Sequence, residues 1–389
     1  MKSLSLNRPV TELDSALDEV VAMKPSIVMV FAAPSFFENE DAQQKVKDRL
    51  SWIPLIGTST AGEIVPQGVL KDTVTFFAIR FERSVVKTVA FPLKDCTKSK
   101  QAGQNIGEAL RAADLRAVIL FAPGMGTNGS ALVEGLSSQI NSHVLVTGGL
   151  AADEMNFART HTMYGNGERV EVYVDHAVAV GFYGDSLVVG CGSEGGWRPF
   201  GPARRVTKAY HNILYEIDGK PALRLYQQYL GEKARQLPAS GLPYPFAVLR
   251  EDRTTSGIIR TALAIDHEKE ALILAGDMPE NARVCLMHAD TGALTQGAAQ
   301  AAAEALRTHG GAEENGCALV VSCVGRRAIY GIDAEEEIEA IEDSFLPRTP
   351  FAGFYSYGEI CSYRKTGEIK FHNQTMCVTY FTEKNPEGE

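Results

Sequence analysis

Two glutamates in the chain, Glu63 and Glu359, stand in the same setting. Each follows a glycine directly (Gly62, Gly358) and stands six residues after another (Gly57, Gly353). A third copy runs from Gly148 to the acid pair Asp153-Glu154, again with six residues from the glycine to the glutamate. Carboxylates in matched settings suit two kinds of chemistry. If the copies meet, Glu63 and Glu359 could share general acid and base work. Glu63, Asp153 or Glu359 could equally hold the ammonium end of a ligand. The hydroxyls of Thr58, Ser59 and Thr60 add polar groups that a plain turn does not need. Their order, Gly-Thr-Ser-Thr-Ala-Gly, is not the nucleophile elbow of a serine hydrolase, and no histidine is assigned to them by position. A hydrolase-like enzyme using Glu63 and Glu359 is therefore the lesser reading, and a non-catalytic ligand site the main one.

The elements around the three acids also repeat. Apolar runs lie upstream, at Ile27–Phe31, Ala117–Phe121 and Ala318–Ser322. Helix patterns follow at Asp41–Leu50, Ser130–Ile140 and Asp333–Phe345, and β-rich runs close the copies at Val74–Ile79, Ala177–Phe182 and Thr375–Tyr380. Each copy reads strand, helix, strand, sharp turn, strand, strand. The expected fold is α/β, with mixed sheets, flanking helices and repeated units arranged in two halves. Positive φ is expected at Gly62, Gly358 and Asp153, where the turn reverses.

With 389 residues the chain is long enough for two or three domains and a sizeable core. A formal net charge of -10 without a basic run argues against nucleic acid and against an acidic membrane surface. Seven cysteines without a Cys-x-x-Cys pair read as reduced, mostly buried thiols rather than a disulfide framework or a zinc site. The amino terminus lacks the apolar core of a signal peptide, and no run reaches membrane-spanning length. A cytoplasmic protein without membrane insertion is expected.

Gly124-Met-Gly126-Thr-Asn128-Gly129 has the glycine spacing of a dinucleotide loop, but no ribose-binding acid ends the next strand. The helix start from Gly126 to Ser130 suits a smaller anion such as a ligand carboxylate. Arg159 could share that task. His161 lies in a hairpin-like run, and His372-Asn373-Gln-Thr375 opens the last strand with unusual polarity: it either lines a site or pairs at a sheet edge. A Gly- and Pro-punctuated connector begins near Leu187 and contains Trp197. The expected domains are a helical arm at 1–25, a domain at 26–221 with two repeat units, and a domain at 222–389 whose third unit spans 317–381.

Ile56-Gly-Thr-Ser-Thr-Ala-Gly-Glu-Ile64, Gly148-Gly149-Leu-Ala-Ala-Asp153, Gly196-Trp-Arg-Pro with Val206-Thr207, Glu216-Ile-Asp-Gly-Lys-Pro-Ala222, Gly353-Phe-Tyr-Ser-Tyr357-Gly-Glu-Ile360 and His372-Asn-Gln-Thr375 follow one another in order. In these landmarks the chain resembles the FIST family of bacterial signal-transduction sensors. The resemblance implies a sensory module for a small ligand, an amino acid or a derivative. It implies signalling to a separate protein such as a histidine kinase or cyclase, since no stretch is left for a fused output domain. A subset of the family looks like haem-binding nitric-oxide sensors, with His161 or His372 as the axial ligand. No cofactor is expected, with haem as the alternative, and no metal site. The expected ligand site combines Thr58, Ser59, Thr60, Glu63, Gly126, Asn128, Ser130, Gly149, Asp153, Arg159, Trp197, Tyr357, Glu359 and Asn373, with Tyr357 and Trp197 as aromatic walls.

Overall fold

The structure, a computed structural model, describes residues 1–93, 95–252, 254–363 and 368–384. Of the carboxy-terminal domain expected at 222–389, residues 253, 364–367 and 385–389 lie outside the described residues, as does the Cys96 side chain.

Three six-stranded sheets share one strand order. In the first, Lys2–Pro9, Thr73–Arg80, Ile27–Ala32 and Pro54–Ser59 lie side by side, and the last two run parallel. The second repeats this with Val85–Pro92, His176–Tyr183, Leu115–Ala122 and Leu145–Leu150. The third uses Leu187–Glu194, Met376–Glu383, Cys317–Cys323 and Phe351–Ser356. Each sheet is completed by a hairpin from another unit. The hairpin after Pro54–Ser59, Glu63–Val65 with Gly68–Leu70, joins the third sheet beside Phe351–Ser356. Thr162–Asn166 with Val170–Tyr173 joins the first, and Glu359–Tyr363 with Glu368–His372 joins the second. The exchange is cyclic, so no unit closes its own sheet.

These borders differ from those read in the sequence. Lys2–Pro9 is a strand in what was expected to be a helical arm, and Leu187–Glu194 opens the third unit where a connector was expected. Both are edge strands: Lys2–Pro9 is mostly half-buried and polar, and Leu187–Glu194, although buried, carries Gly190 and Gly192, so neither reads as an unbroken apolar run. Residues 198–288 interrupt the third unit with a nine-stranded sheet of their own, after which helix Thr291–His309 packs on Leu187–Glu194 and Met376–Glu383.

The inner faces of the three sheets share one core. Phe31, Phe121 and Phe354 meet there with ring centroids 5.3 to 5.8 Å apart. The outer faces are covered by helices such as Glu40–Leu50, which buries Ala42, Val46 and Leu50 on one stripe and is capped by Asn39. The repeated glycines serve the parallel pairs. A Cβ at Gly57, Gly148 or Gly353 would lie 2.9, 1.9 or 1.6 Å from the facing carbonyl oxygen of Val30, Leu120 or Val320. Gly62 has the expected positive φ of 128°. Gly358 does not, and is needed for space, since a Cβ there would meet the Phe371 ring at 2.3 Å. In the second copy the left-handed residues are Glu154, Met155 and Phe157 rather than Asp153.

Among the described residues no helix is long and apolar enough to cross a membrane. Cys191, Cys285, Cys317, Cys323, Cys361 and Cys377 are free and buried.

Candidate functional site

A cavity of about 500 Å³ opens where the second and third units meet the inserted sheet. That volume lies within the about 300–1,000 Å³ of small-molecule sites. One wall is the loop from Gly124 to Asn128 with the start of helix Gly129–Ser137; opposite it stand Thr261, Leu263 and the Leu274–Asp277 corner of the inserted sheet. Cys323 and Gly325 bound one side, and Tyr357, Phe371, Asn373 and Gln374 the other.

The helix start is held by Asn128. Its Oδ1 accepts the Ala131 N–H at 3.0 Å, and its Nδ2 donates to both carboxylate oxygens of Asp277 at 3.2 Å. Asp277 thus places a carboxylate beside the positive end of this helix, where the subsite for a ligand anion was expected from Gly126 to Ser130. Behind the wall, Arg260 is 4% exposed. Its guanidinium donates to the carbonyls of Asp277, Ile259 and Phe371 and to Ser130 Oγ. Burial lowers Arg260 to about 10, against the pull of Asp277.

Residues 373–375 cross from the second sheet to the third and are tied down along the backbone. The Gln374 carbonyl accepts from Trp197 Nε1 at 2.7 Å, and the Thr375 N–H donates to Glu359 at 3.0 Å. Gln374, at φ 60°, donates its Nε2 to the Leu242 carbonyl at 3.0 Å. Yet both amide atoms of Asn373, Gln374 Oε1, Thr261 Oγ1 and Thr127 Oγ1 are buried without a hydrogen-bond partner. All four residues line this cavity. An unpaired buried polar group costs about 1–3 kcal/mol, and a folded protein keeps few of them. Their convergence on one cavity is what a ligand site requires.

Met125, Met155, Phe157 and Leu263 ring the opening at 41% to 45% exposure. Phe157 stacks on Tyr357 with centroids 4.7 Å apart.

Of the residues expected in the site, Gly126, Asn128, Tyr357 and Asn373 line the cavity, and Ser130 sits behind it on Arg260. The acids and hydroxyls do not. Glu63 accepts from Thr60 and Thr73, and Glu359 from Ser356 and from the N–H and hydroxyl of Thr375, so each carboxylate is used within its own repeat unit. They form no shared acid–base pair. Burial nevertheless raises both to about 7, against these hydrogen bonds. Asp153 accepts the N–H groups of Phe157, Ala158 and Arg159 and the Tyr357 hydroxyl. That leaves it a scaffold for the rim rather than a receptor for a ligand ammonium. Thr58 donates to the Ser59 carbonyl, and Ser59 ties Ala152 to His161. Gly149 is a strand residue facing Glu359. Trp197 lines a separate cleft with Thr375, and Arg159 lies in an open groove with Glu38 and His161.

Sequence reasoning missed Thr127, Thr261, Gln374 and Asp277. Thr127 and Gln374 lie inside motifs singled out for their glycines and polarity; Thr261 and Asp277 lie in the inserted sheet, where no local pattern marks them.

A family model described as the FIST N domain matches residues 26–220, and one described as the FIST C domain matches residues 222–362. The chain belongs to the FIST family. FIST domains are small-ligand sensing domains of signalling proteins. No curated protein matches this FIST chain. Among solved structures it is similar to a cyanuric acid hydrolase from A. caulinodans, at a TM-score of 0.40 and 8% identity over 99% of each chain. That likeness is too loose to bear on function.

The surroundings of His161 and His372, the histidines expected as alternative haem ligands, are not those of a haem pocket. A haem needs an axial ligand within a pocket of large apolar side chains. His161 stacks on Phe37 and opens on a groove in which Phe37, Val172 and Val174 are outnumbered by Glu38, Glu40, Gln43, Gln44, Lys47 and Arg159, with its Nε2 3.6 Å from Glu38. Burial lowers its basicity. His372 is fully buried, with Nδ1 3.2 Å from the Gly257 carbonyl, and burial brings it down to about 4. It lines neither the cavity nor the groove.

Proposed function

We propose that this protein is a cytoplasmic sensor that binds an amino-acid-sized small molecule in the cavity between its second and third units and the inserted sheet, and signals to a separate protein such as a histidine kinase or cyclase. The observation that carries this reading is the set of unpaired buried polar atoms on Asn373, Gln374, Thr261 and Thr127. A ligand that pairs them supplies hydrogen bonds that these atoms do not make within the chain. The aromatic and methionine rim offers the output: a ligand touching Phe157 and Met155 alters an exposed apolar surface that a partner can read. The acids of the three turns hold the scaffold in this reading, and no catalytic constellation is assigned to them.

The test is a thermal-shift screen of amino acids, their derivatives and other metabolites of that size against the full chain. A ligand at a hundred times its dissociation constant adds about 2.7 kcal/mol. The expected result is a hit whose shift disappears in Asn373→Leu. A hit unaffected by substitution at Asn373 and at Thr261 would place binding elsewhere and overturn the reading.

A further inference from the structure

We infer that the ligand presents an uncharged primary carboxamide to the floor of this cavity, on an apolar body that packs against its rim. This rests on the small-ligand reading above and adds the chemical class.

The open groups can be counted by role. Gln374 Nε2 is committed to the Leu242 carbonyl at 3.0 Å, and that bond fixes the orientation of the amide, leaving Oε1 as an open acceptor. Asn373 has both Nδ2 and Oδ1 open, so exchanging the two atoms leaves the count unchanged. The rigid part of the floor thus offers one donor nitrogen, whose two hydrogens a carbonyl oxygen can engage, and a pair of acceptor oxygens, supplemented by the Thr127 and Thr261 hydroxyls, which serve in either role. A primary carboxamide carries the complement, with a carbonyl for Asn373 Nδ2 and paired N–H groups for Asn373 Oδ1 and Gln374 Oε1.

Charged alternatives fit less well. A carboxylate has no hydrogen to give and would leave both side-chain oxygens unpaired beside a negative group. An ammonium would satisfy the oxygens and leave Nδ2 unpaired. The surrounding charge offers neither of them a free partner. No lysine or arginine lines the cavity among the described residues, and its single imidazole, His211, is exposed. Asp277 is bonded to Asn128, and Arg260 stands behind it as the opposite charge. A buried ion without a counter-charge is the costlier guest. Asn373 and Gln374 are 1% and 0% exposed and Thr261 3%, so the open groups belong to the floor and not to the rim. Phe157, Tyr357, Met155 and Leu263 supply the apolar contact for the rest of the molecule.

The test uses three probes on one skeleton: phenylacetamide, phenylacetate and phenethylamine. Binding to the full wild-type chain is read by ligand-observed saturation-transfer NMR, which registers weak ligands. The expected result is a signal for phenylacetamide alone, weakened about tenfold or more in Asn373→Leu, in line with the loss of buried hydrogen bonds. Thr261→Val is the second variant, should the first fail to fold. If phenylacetate or phenethylamine gives the stronger signal, the carboxamide assignment is overturned while the small-ligand site stands. Silence from all three overturns the assignment as well, and the metabolite screen then decides separately whether the site binds anything.

Discussion

The acids of the repeated turns lend themselves to a stability experiment. Glu63 and Glu359 are 1% and 0% exposed, and burial holds both at about 7, where an ordinary glutamate sits at 4.5. Below about pH 4.5 both carboxyls are neutral in the folded and the unfolded chain alike, and no penalty arises. Between that point and about pH 7 the unfolded chain gives up the proton that the fold retains, so stability falls as pH rises. Above about pH 7 the fold ionises too, and the full penalty of the buried charge is present. At about 1.4 kcal/mol per pH unit, the rise from 4.5 to about 7 amounts to roughly 3 kcal/mol for each acid. Glutamine copies the neutral acid, and the hydroxyls of Thr60, Thr73, Ser356 and Thr375 can donate or accept to suit it. Urea unfolding of Glu63→Gln, Glu359→Gln and the double variant at about pH 5 and about pH 8 reads the effect against wild type. Each single variant should gain about 2.5 kcal/mol on wild type between the two pH values, since part of the penalty is already present at about pH 5, and the double variant about twice that. Parallel curves for variant and wild type at both pH values would refute the reasoning, because they would mean that these carboxyls titrate equally in fold and coil.

Glu337→Gln should cost about 3–5 kcal/mol, because it strips the counter-charge from Arg326, and both side chains are 0% exposed; denaturant unfolding checks it, and a loss under about 1 kcal/mol would contradict it. Asn373→Leu should stabilise the ligand-free protein by about 1 kcal/mol, by removing unpaired polar atoms, while abolishing the response to ligand; calorimetry with and without a screen hit separates the effects. Asp153→Asn weakens the acceptor for three backbone N–H groups and should speed amide hydrogen exchange at Phe157–Arg159 while the strand Leu145–Leu150 stays protected. Gly148→Ala should fail to fold stably, since its Cβ would stand 1.9 Å from the Leu120 carbonyl oxygen at a φ of 138°, and soluble yield with circular dichroism will show it.

Much of the fold follows from local pattern. Ile27–Ala32, Leu115–Ala122 and Cys317–Cys323 are buried on both faces, so their sequences read as unbroken apolar runs, and the glycines six residues before the acids mark the partner strands. The edge strands Lys2–Pro9 and Leu187–Glu194 carry weaker patterns, because the polar residues of the one and Gly190 and Gly192 of the other interrupt the apolar run and resemble a connector. The acids misled for a related reason. The matched spacing of Thr60 to Glu63 and Ser356 to Glu359, three residues in each case, is the spacing of a side chain closing its own turn.

The sequence by itself determined the three units, the mixed α/β class and the polar run at Asn373, because strand periodicity and turn chemistry act over a few residues. Only the tertiary structure decided which sheet each hairpin completes and which polar groups are left without partners. The loop at Thr127, the inserted sheet at Thr261 and the crossing at Asn373-Gln374 are far apart along the chain, and they face one cavity because the units exchange hairpins and the insertion folds back over the joint. Whether a polar atom is satisfied depends on every neighbour in space, and sequence lists only the neighbours along the chain.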